Sequence, residues 1–401
     1  MEISISNKCR MISPSPTLAI DAKFKSMKAE GVDVVGFGAG EPDFDTPKHI
    51  KEAAIKAIND GFTKYTPASG TVDLKKAIVK KFKEENGLDY DISNIVVSNG
   101  AKHSLVNVFM AILNPGDEVI IPAPFWVSYP EMVKIADGVP KFIETKEENN
   151  FKFSIEDLEK ALTDKTKALV LNNPSNPTGM LYTTDELKKI AEFAVKNNIY
   201  VISDEIYEAL VYDEDAEFVS IASLGEEIKE LTIIVNGVSK TYAMTGWRIG
   251  FTASNEKIAK AMSNLQSHAT SNPNSIAQAA TVAALNGPKD EIAKMKKAFS
   301  ERRDYMVDLI NGIDGVSARK PSGAFYIMMN IEKLIGRKCN GKVVSDVDVL
   351  CNMLLDEVKL ALVPGTGFGA PNYVRWSYAT SIENITEGIL RLKKFISVLE
   401  V

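Results

Sequence analysis

Cysteine and histidine are scarce in this 401-residue chain, with three of each. Cys9, Cys339 and Cys351 are odd in number and unrelated in spacing, so neither a disulfide framework nor a zinc site is implied. A reducing compartment is expected. His49, His103 and His268 stand in no motif that would build a metal site or a Ser/His/Asp hydrolase. Each is read as a structural or surface residue, and no metal is expected. A basic excess is missing as well: 47 Lys and Arg against 53 Asp and Glu leave a net charge of −6, which suits solubility and argues against a nucleic-acid surface. No run of eighteen apolar residues occurs, and the first twenty residues lack the apolar core of a signal peptide. The expectation is a cytoplasmic protein with no membrane and no nucleic-acid partner.

What is present reads as a soluble globular chain, 45% hydrophobic and 25% charged, too long for one ordinary core. Short β-branched runs alternate with helix-patterned stretches. The predicted strands are Ile95–Val97, Glu118–Ile121, Lys141–Ile143, Ala168–Leu171, Tyr200–Ser203, Thr232–Val235 and Ile249–Ala253. Several are apolar throughout, as strands covered on both faces must be. Thr46-Pro47 opens one helix with proline at the first helical position, and Ser154 and Thr184 each cap another ahead of acids. Residues 46–290 therefore read as a large α/β domain with a mostly parallel sheet between helices. After a charged helix at about 289–309 come strands Ala324–Met329, Leu360–Val363 and Tyr373–Ser377 and helices Asp346–Glu357 and Asn384–Leu399. Residues 291–401 read as a smaller α+β domain, joined by 1–45 with a strand of their own, Val32–Phe37.

The densest chemical signal runs from Val235 to Gly250. A buried strand ends in small residues, and Lys240 follows among apolar neighbours. A lone lysine is normally a solvated head on a snorkelling stem. At the carboxyl end of a sheet strand, where open α/β sheets bind ligands, desolvation and nearby cations would lower its pKa and make it a nucleophile. Arg248, eight residues on, is a candidate phosphate clamp. Six further stretches are weaker on their own. Asn172–Gly179 is turn chemistry after a strand, and Ile199–Tyr207 is an apolar strand running into acids. Val96–Ser104 is a strand, a glycine turn and a helix start, suited to an anion but lacking P-loop spacing. Trp126 stands just after a strand, where core packing is the ordinary reading. Arg375 lies in the strand Tyr373–Ser377, where its fork could grip a carboxylate. Gly36–Asp43 follows the early strand without the spacing of a dinucleotide fingerprint.

Together and in this order, these segments resemble the fold-type I pyridoxal-phosphate enzymes, specifically the class I/II aminotransferases and among them the bacterial aspartate aminotransferase subgroup. The resemblance covers nearly the whole chain. It implies a seven-stranded-type sheet and pyridoxal 5'-phosphate joined to Lys240 as a Schiff base. It further implies a phosphate cup of Gly100, Ala101, Lys102 and Arg248, with Ser239 a further member. Related enzymes often place a serine three residues before the lysine, where this chain has Gly237. Trp126 would stack on the ring, Asp204 would hold its nitrogen protonated, and Tyr207 and Asn176 would bond its phenolic oxygen. Arg375, Asn176, Trp126 and the backbone of Gly40 would hold the substrate, and Tyr65 would reach the phosphate of the other subunit in a homodimer. The implied activity is ping-pong transfer of an amino group from an L-amino acid, aspartate foremost, to 2-oxoglutarate. Alternatives are an aminotransferase for aromatic or neutral amino acids, or a carbon–sulfur lyase on the same fold. A non-catalytic regulator is disfavoured, because no DNA-binding segment is expected ahead of the enzyme region. Aspartate needs a cation for its distal carboxylate, and the positions some relatives use hold Met110 and Ser13 here.

Overall fold

The computed structural model describes residues 3–14, 16–213 and 215–400; residues 1, 2, 15, 214 and 401, which the predicted domain limits include, lie outside the described residues. After a short β1 (Val35–Gly36), the apolar runs become β2 (Ile95–Ser98), β3 (Glu118–Ala123), β4 (Val139–Glu144), β5 (Thr166–Asn172), β6 (Tyr200–Asp204), β7 (Thr232–Gly237) and β8 (Gly250–Ala253). These seven pair in the order β2-β8-β7-β6-β5-β3-β4. β3 to β7 are joined by parallel ladders, while β8 runs antiparallel to both neighbours. The mostly parallel seven-stranded sheet expected of the sequence is thus the one that forms.

Alternation along the strands shows why the runs are continuously apolar. Ile95 and Val97 join one core cluster with Leu74, Ile78 and Phe82 of a flanking helix. Val96, between them, joins another with Leu105, Val108 and Phe109 of the helix Ala101–Ile112. Both faces are covered, so both sets of side chains must be apolar. Burying each large side chain contributes about 1.5–3 kcal/mol.

Two helix starts differ from expectation. Pro47 precedes the helix Lys48–Asn59 rather than opening it. Thr183, not Thr184, caps the helix Thr184–Asn197: its hydroxyl accepts from the Glu186 amide while Glu186 reaches back, and only a threonine three places before the glutamate closes that reciprocal box. Ser154 caps as expected, with Asp157 as its reciprocal partner.

Towards the C-terminus come β9 (Ser317–Ala318), β10 (Tyr326–Asn330), the hairpin β11 (Lys338–Cys339) and β12 (Lys342–Val343), β13 (Leu360–Ala361), β14 (Val363–Pro364) and β15 (Tyr373–Ser377). A four-stranded antiparallel sheet forms in the order β14-β15-β10-β9, and β1 pairs in parallel with β13. The run expected as one strand, Leu360–Val363, is divided, because its first half pairs with β1 and its second with β15. β1 shrinks from the expected Val32–Phe37 to the two residues that β13 can pair. β10 begins later than expected because Ala324 takes a positive φ of 57°, incompatible with a strand. Phe299, Phe325, Trp376 and Phe395 fill the core here, and Phe37 joins it at 4.7 Å from Trp376.

Candidate active site

Asn172, Asp204 and Val235 stand side by side in register at the carboxyl ends of β5, β6 and β7. Above them opens a cleft of about 490 Å³. Strand alternation decides which acid of the Asp204-Glu205 pair reaches it. Asp204 lines the cleft, whereas Glu205 is fully buried and accepts from the hydroxyls of Ser203 and Ser220.

Asp204 is 3% exposed, and burial pushes its carboxyl up to about 6. The Tyr129 hydroxyl donates to it at 2.7 Å, the Ile206 amide donates at 3.3 Å, and Lys240 is a cation within its field, all favouring the charged form. Lys240 is half-buried where the chain leaves β7, and its amine donates to the Gly40 carbonyl at 2.6 Å. Burial brings that amine down to about 8, helped by the charges of Arg248 and Arg375 and opposed by Glu41 and Asp204. An amine that loses its proton near neutrality can act as nucleophile and as base.

One end of the cleft is an anion cradle. The helix Ala101–Ile112 starts there with no side-chain cap and no acid in its first turn, leaving its positive end for a ligand. Gly100 precedes it at φ 86°, and a Cβ there would lie 2.2 Å from the Arg248 guanidinium. Arg248 sits in left-handed backbone just before β8, and its guanidinium donates to the carbonyls of Thr245 and Asn99. Lys102 lines the cleft with its amine 4.9 Å over the Trp126 ring; burial, and then Arg248, lower its pKa. Ser239 also lines it. Gly237 has a steric reason to lack a side chain: its Cβ would approach the Ile249 carbonyl at 2.9 Å.

At the other end lies Arg375, centred on β15 and 3% exposed. Its guanidinium donates to the Asn176 side-chain oxygen at 3.1 Å and the Gly38 carbonyl at 3.0 Å, and it lies between the rings of Tyr326 and Phe368. Its Nε is buried with no hydrogen-bond partner. Two oxygen acceptors fix the orientation of the guanidinium, whose planar fork suits a carboxylate. Burial also raises the Tyr207 hydroxyl well above its ordinary value, and it bonds the Tyr326 hydroxyl at 3.0 Å.

The cleft so described suits a flat, anionic, pyridine-bearing cofactor. It offers an open helix start beside an arginine, an aromatic face, a buried carboxylate and an amine of lowered pKa. Tyr65 is 90% exposed and does not line the cleft. Met110 is exposed, and Ser13 gives its amide to Glu131; neither lines the cleft. His103 accepts from the Asn99 amide within the turn of the cradle.

Sequence reasoning did not single out Tyr129, Tyr326 and Glu41. Tyr129 lies three residues after Trp126 at the start of the helix Ser128–Ile135, its amide donating to the Trp126 carbonyl at 3.0 Å and the two rings edge to face at 5.3 Å. Glu41 adjoins Gly40 in a motif already noted. For Tyr326 the sequence carries no signal, because only the pairing of β10 with β15 sets it beside Arg375.

Comparison with known proteins agrees along the whole chain. The family model for aminotransferase class I and II matches residues 32–392. Aspartate aminotransferase of Bacillus sp. (strain YM-2) is 50% identical over 396 residues, covering 99% of this chain and 100% of that relative. The structure of the aspartate aminotransferase from Rhizobium meliloti aligns with a TM-score of 0.96 at 43% identity, over 100% of both chains. That of the Thermus thermophilus enzyme with maleate aligns with a TM-score of 0.93 at 40% identity, over 98% of this chain and 100% of the other.

Proposed function

Since the chain belongs to the class I and II aminotransferases, which are pyridoxal-phosphate enzymes, we propose that it transfers the amino group of aspartate to 2-oxoglutarate by a ping-pong mechanism. Bound pyridoxal phosphate supplies a carbonyl that receives the amino group and a pyridinium ring that draws electrons from the α-carbon. The residues do the rest. Lys240 is the amine that would carry the cofactor, and in its neutral form it would take and return the α-proton. Asp204 would hold the ring nitrogen protonated, and the Tyr129 hydroxyl favours the charged form of that carboxylate and aims it. Tyr207 and Asn176 would bond the phenolic oxygen while Trp126 would cover the ring. Gly100, Ala101, Lys102, Ser239 and Arg248 hold the phosphate. Arg375 grips the α-carboxylate with Asn176 and the backbone near Gly40.

One observation carries the reading: an amine brought down to about 8 and a buried carboxylate face one cleft with an arginine whose Nε lacks a partner. Aspartate as donor is supported by the relatives' identity and by a neighbour solved with maleate, a four-carbon dicarboxylate. Initial rates with aspartate, alanine, phenylalanine and tyrosine against 2-oxoglutarate test it. Aspartate should be fastest, and aspartate as the poorest of the four would refute the assignment.

The same reading includes a cytoplasmic homodimer to which Tyr65 contributes across the interface. Exposed Ile55, Ile58, Phe62 and Tyr65, close together in the chain, support an apolar contact surface. It also divides the chain into a large domain, 46–290, and a small one, 1–45 with 291–401. The ladder joining β1 to β13 supports that division. No helix among the described residues is long and apolar enough to cross a membrane.

A further inference from the structure

The loop from Gly38 to Glu41 touches two of the cleft's cationic side chains directly and is linked to a third through Thr245. The Gly38 carbonyl accepts from Arg375 and the Gly40 carbonyl accepts from the Lys240 amine. Glu41 itself lines the cleft, and its carboxylate accepts from the Thr245 hydroxyl at 2.7 Å. Thr245 in turn gives its carbonyl to Arg248 at 2.8 Å. Beyond Glu41 the chain is tied down twice more. Asp43 pairs with Arg302 at 2.7 Å, and the Thr46 hydroxyl donates to the Ala243 carbonyl while accepting from the Trp247 ring nitrogen. Between Gly38 and those ties, the Glu41–Thr245 bond is the side-chain fastening that sets the loop against the turn bearing Arg248. Nothing in the proposed reaction uses Glu41, although a carboxylate placed beside a reactive amine must alter it.

We propose that Glu41 is a positioning residue for Lys240: held by the Thr245 hydroxyl, it latches the Gly38–Glu41 loop across the cleft so that the Gly40 carbonyl meets the amine, and it sets a negative charge opposite that amine. The proposal rests on the reading of Lys240 as the cofactor-bearing amine. Lys240 faces Glu41 from the loop, Asp204 from β6, Arg248 from the turn before β8 and Arg375 from β15, while Lys102, Tyr207 and Tyr326 line the same cleft. Among these, Glu41 is the strongest influence keeping the amine protonated against the effect of burial. Asp204 pulls the same way, but it is occupied by Tyr129. Glu41 is exposed, so its charge can be removed without a cavity in the core.

The test uses full-length protein stripped of cofactor. Lys240 is trace-labelled with acetic anhydride across about pH 6 to 10, and its peptide is quantified by mass spectrometry against exposed Lys296. E41Q keeps an acceptor for Thr245 but loses the charge, so Lys240 should label about 3- to 10-fold faster near pH 7, its curve displaced to lower pH. T245V keeps the charge but frees the latch, and should move the curve the same way by less, while T245S restores the wild-type curve. An E41Q curve superimposed on wild type overturns the charge role, and a T245V curve superimposed on wild type overturns the latch. The parent reading fails separately, if wild-type protein reconstituted with pyridoxal phosphate carries no cofactor on Lys240.

Discussion

Tyr129→Phe isolates the electrostatics of the buried carboxylate. The hydroxyl donates to Asp204 at 2.7 Å with both groups buried, and the ring packs edge-on against Trp126. Phenylalanine keeps the packing and removes only the donor. A hydrogen bond to a charged acceptor contributes about 1.5–3 kcal/mol, which corresponds to roughly one to two pKa units. Wild-type Asp204 titrates at about 6 and is therefore ~90% ionised at pH 7. The variant's carboxyl should titrate about one to two units higher and be largely neutral there. The acidic limb of kcat/KM against pH should move up by that amount. Stability follows the same linkage. Well below the ordinary carboxylate range Asp204 is protonated in both folded and unfolded chains, so the variant should lose little. The deficit opens as pH rises through the wild-type value of about 6 and is complete above the variant's value, at about 1.5–3 kcal/mol. Urea denaturation of cofactor-free protein at acid and alkaline pH measures it. A deficit equal at both ends, with an unmoved acidic limb, would refute the reasoning.

Lys240→Ala should abolish turnover and leave the protein without the yellow colour expected of wild type; wild-type turnover in the variant would end the assignment. Arg375→Lys replaces a fork held by Asn176 and Gly38 with a point charge, so KM for the amino donor should rise about 10- to 100-fold with a smaller change in kcat. Gly100→Ala places a Cβ 2.2 Å from the Arg248 guanidinium in backbone at φ 86°, and cofactor affinity measured by fluorescence titration should fall at least about tenfold. Tyr65→Phe together with Lys240→Ala tests the shared site: mixed, each inactive or impaired alone, they should form heterodimers in which one cleft holds both wild-type residues. Activity should return on mixing if Tyr65 crosses the interface.

The sequence alone determined the fold class, because strands buried on both faces must be apolar throughout and their spacing left room for helices between them. It also determined the order of the chemical segments, since Lys240, Arg248, Asp204 and Arg375 each stand in a stretch with its own local logic. Other features required the tertiary structure. Strand partners are long-range choices, so the division of Leu360–Val363 between two sheets and the shortening of Val32–Phe37 follow from what lies alongside. The sequence offered two adjacent acids, and only the pleat of β6 turns Asp204 to the cleft and Glu205 to two serines. Tyr129 and Tyr326 were invisible as partners because their contacts span dozens of residues. The lysine and the downward direction of its pKa were legible; the opposing pull of Glu41 and the part played by Arg375 were not, since those fields exist only once distant segments close one cleft.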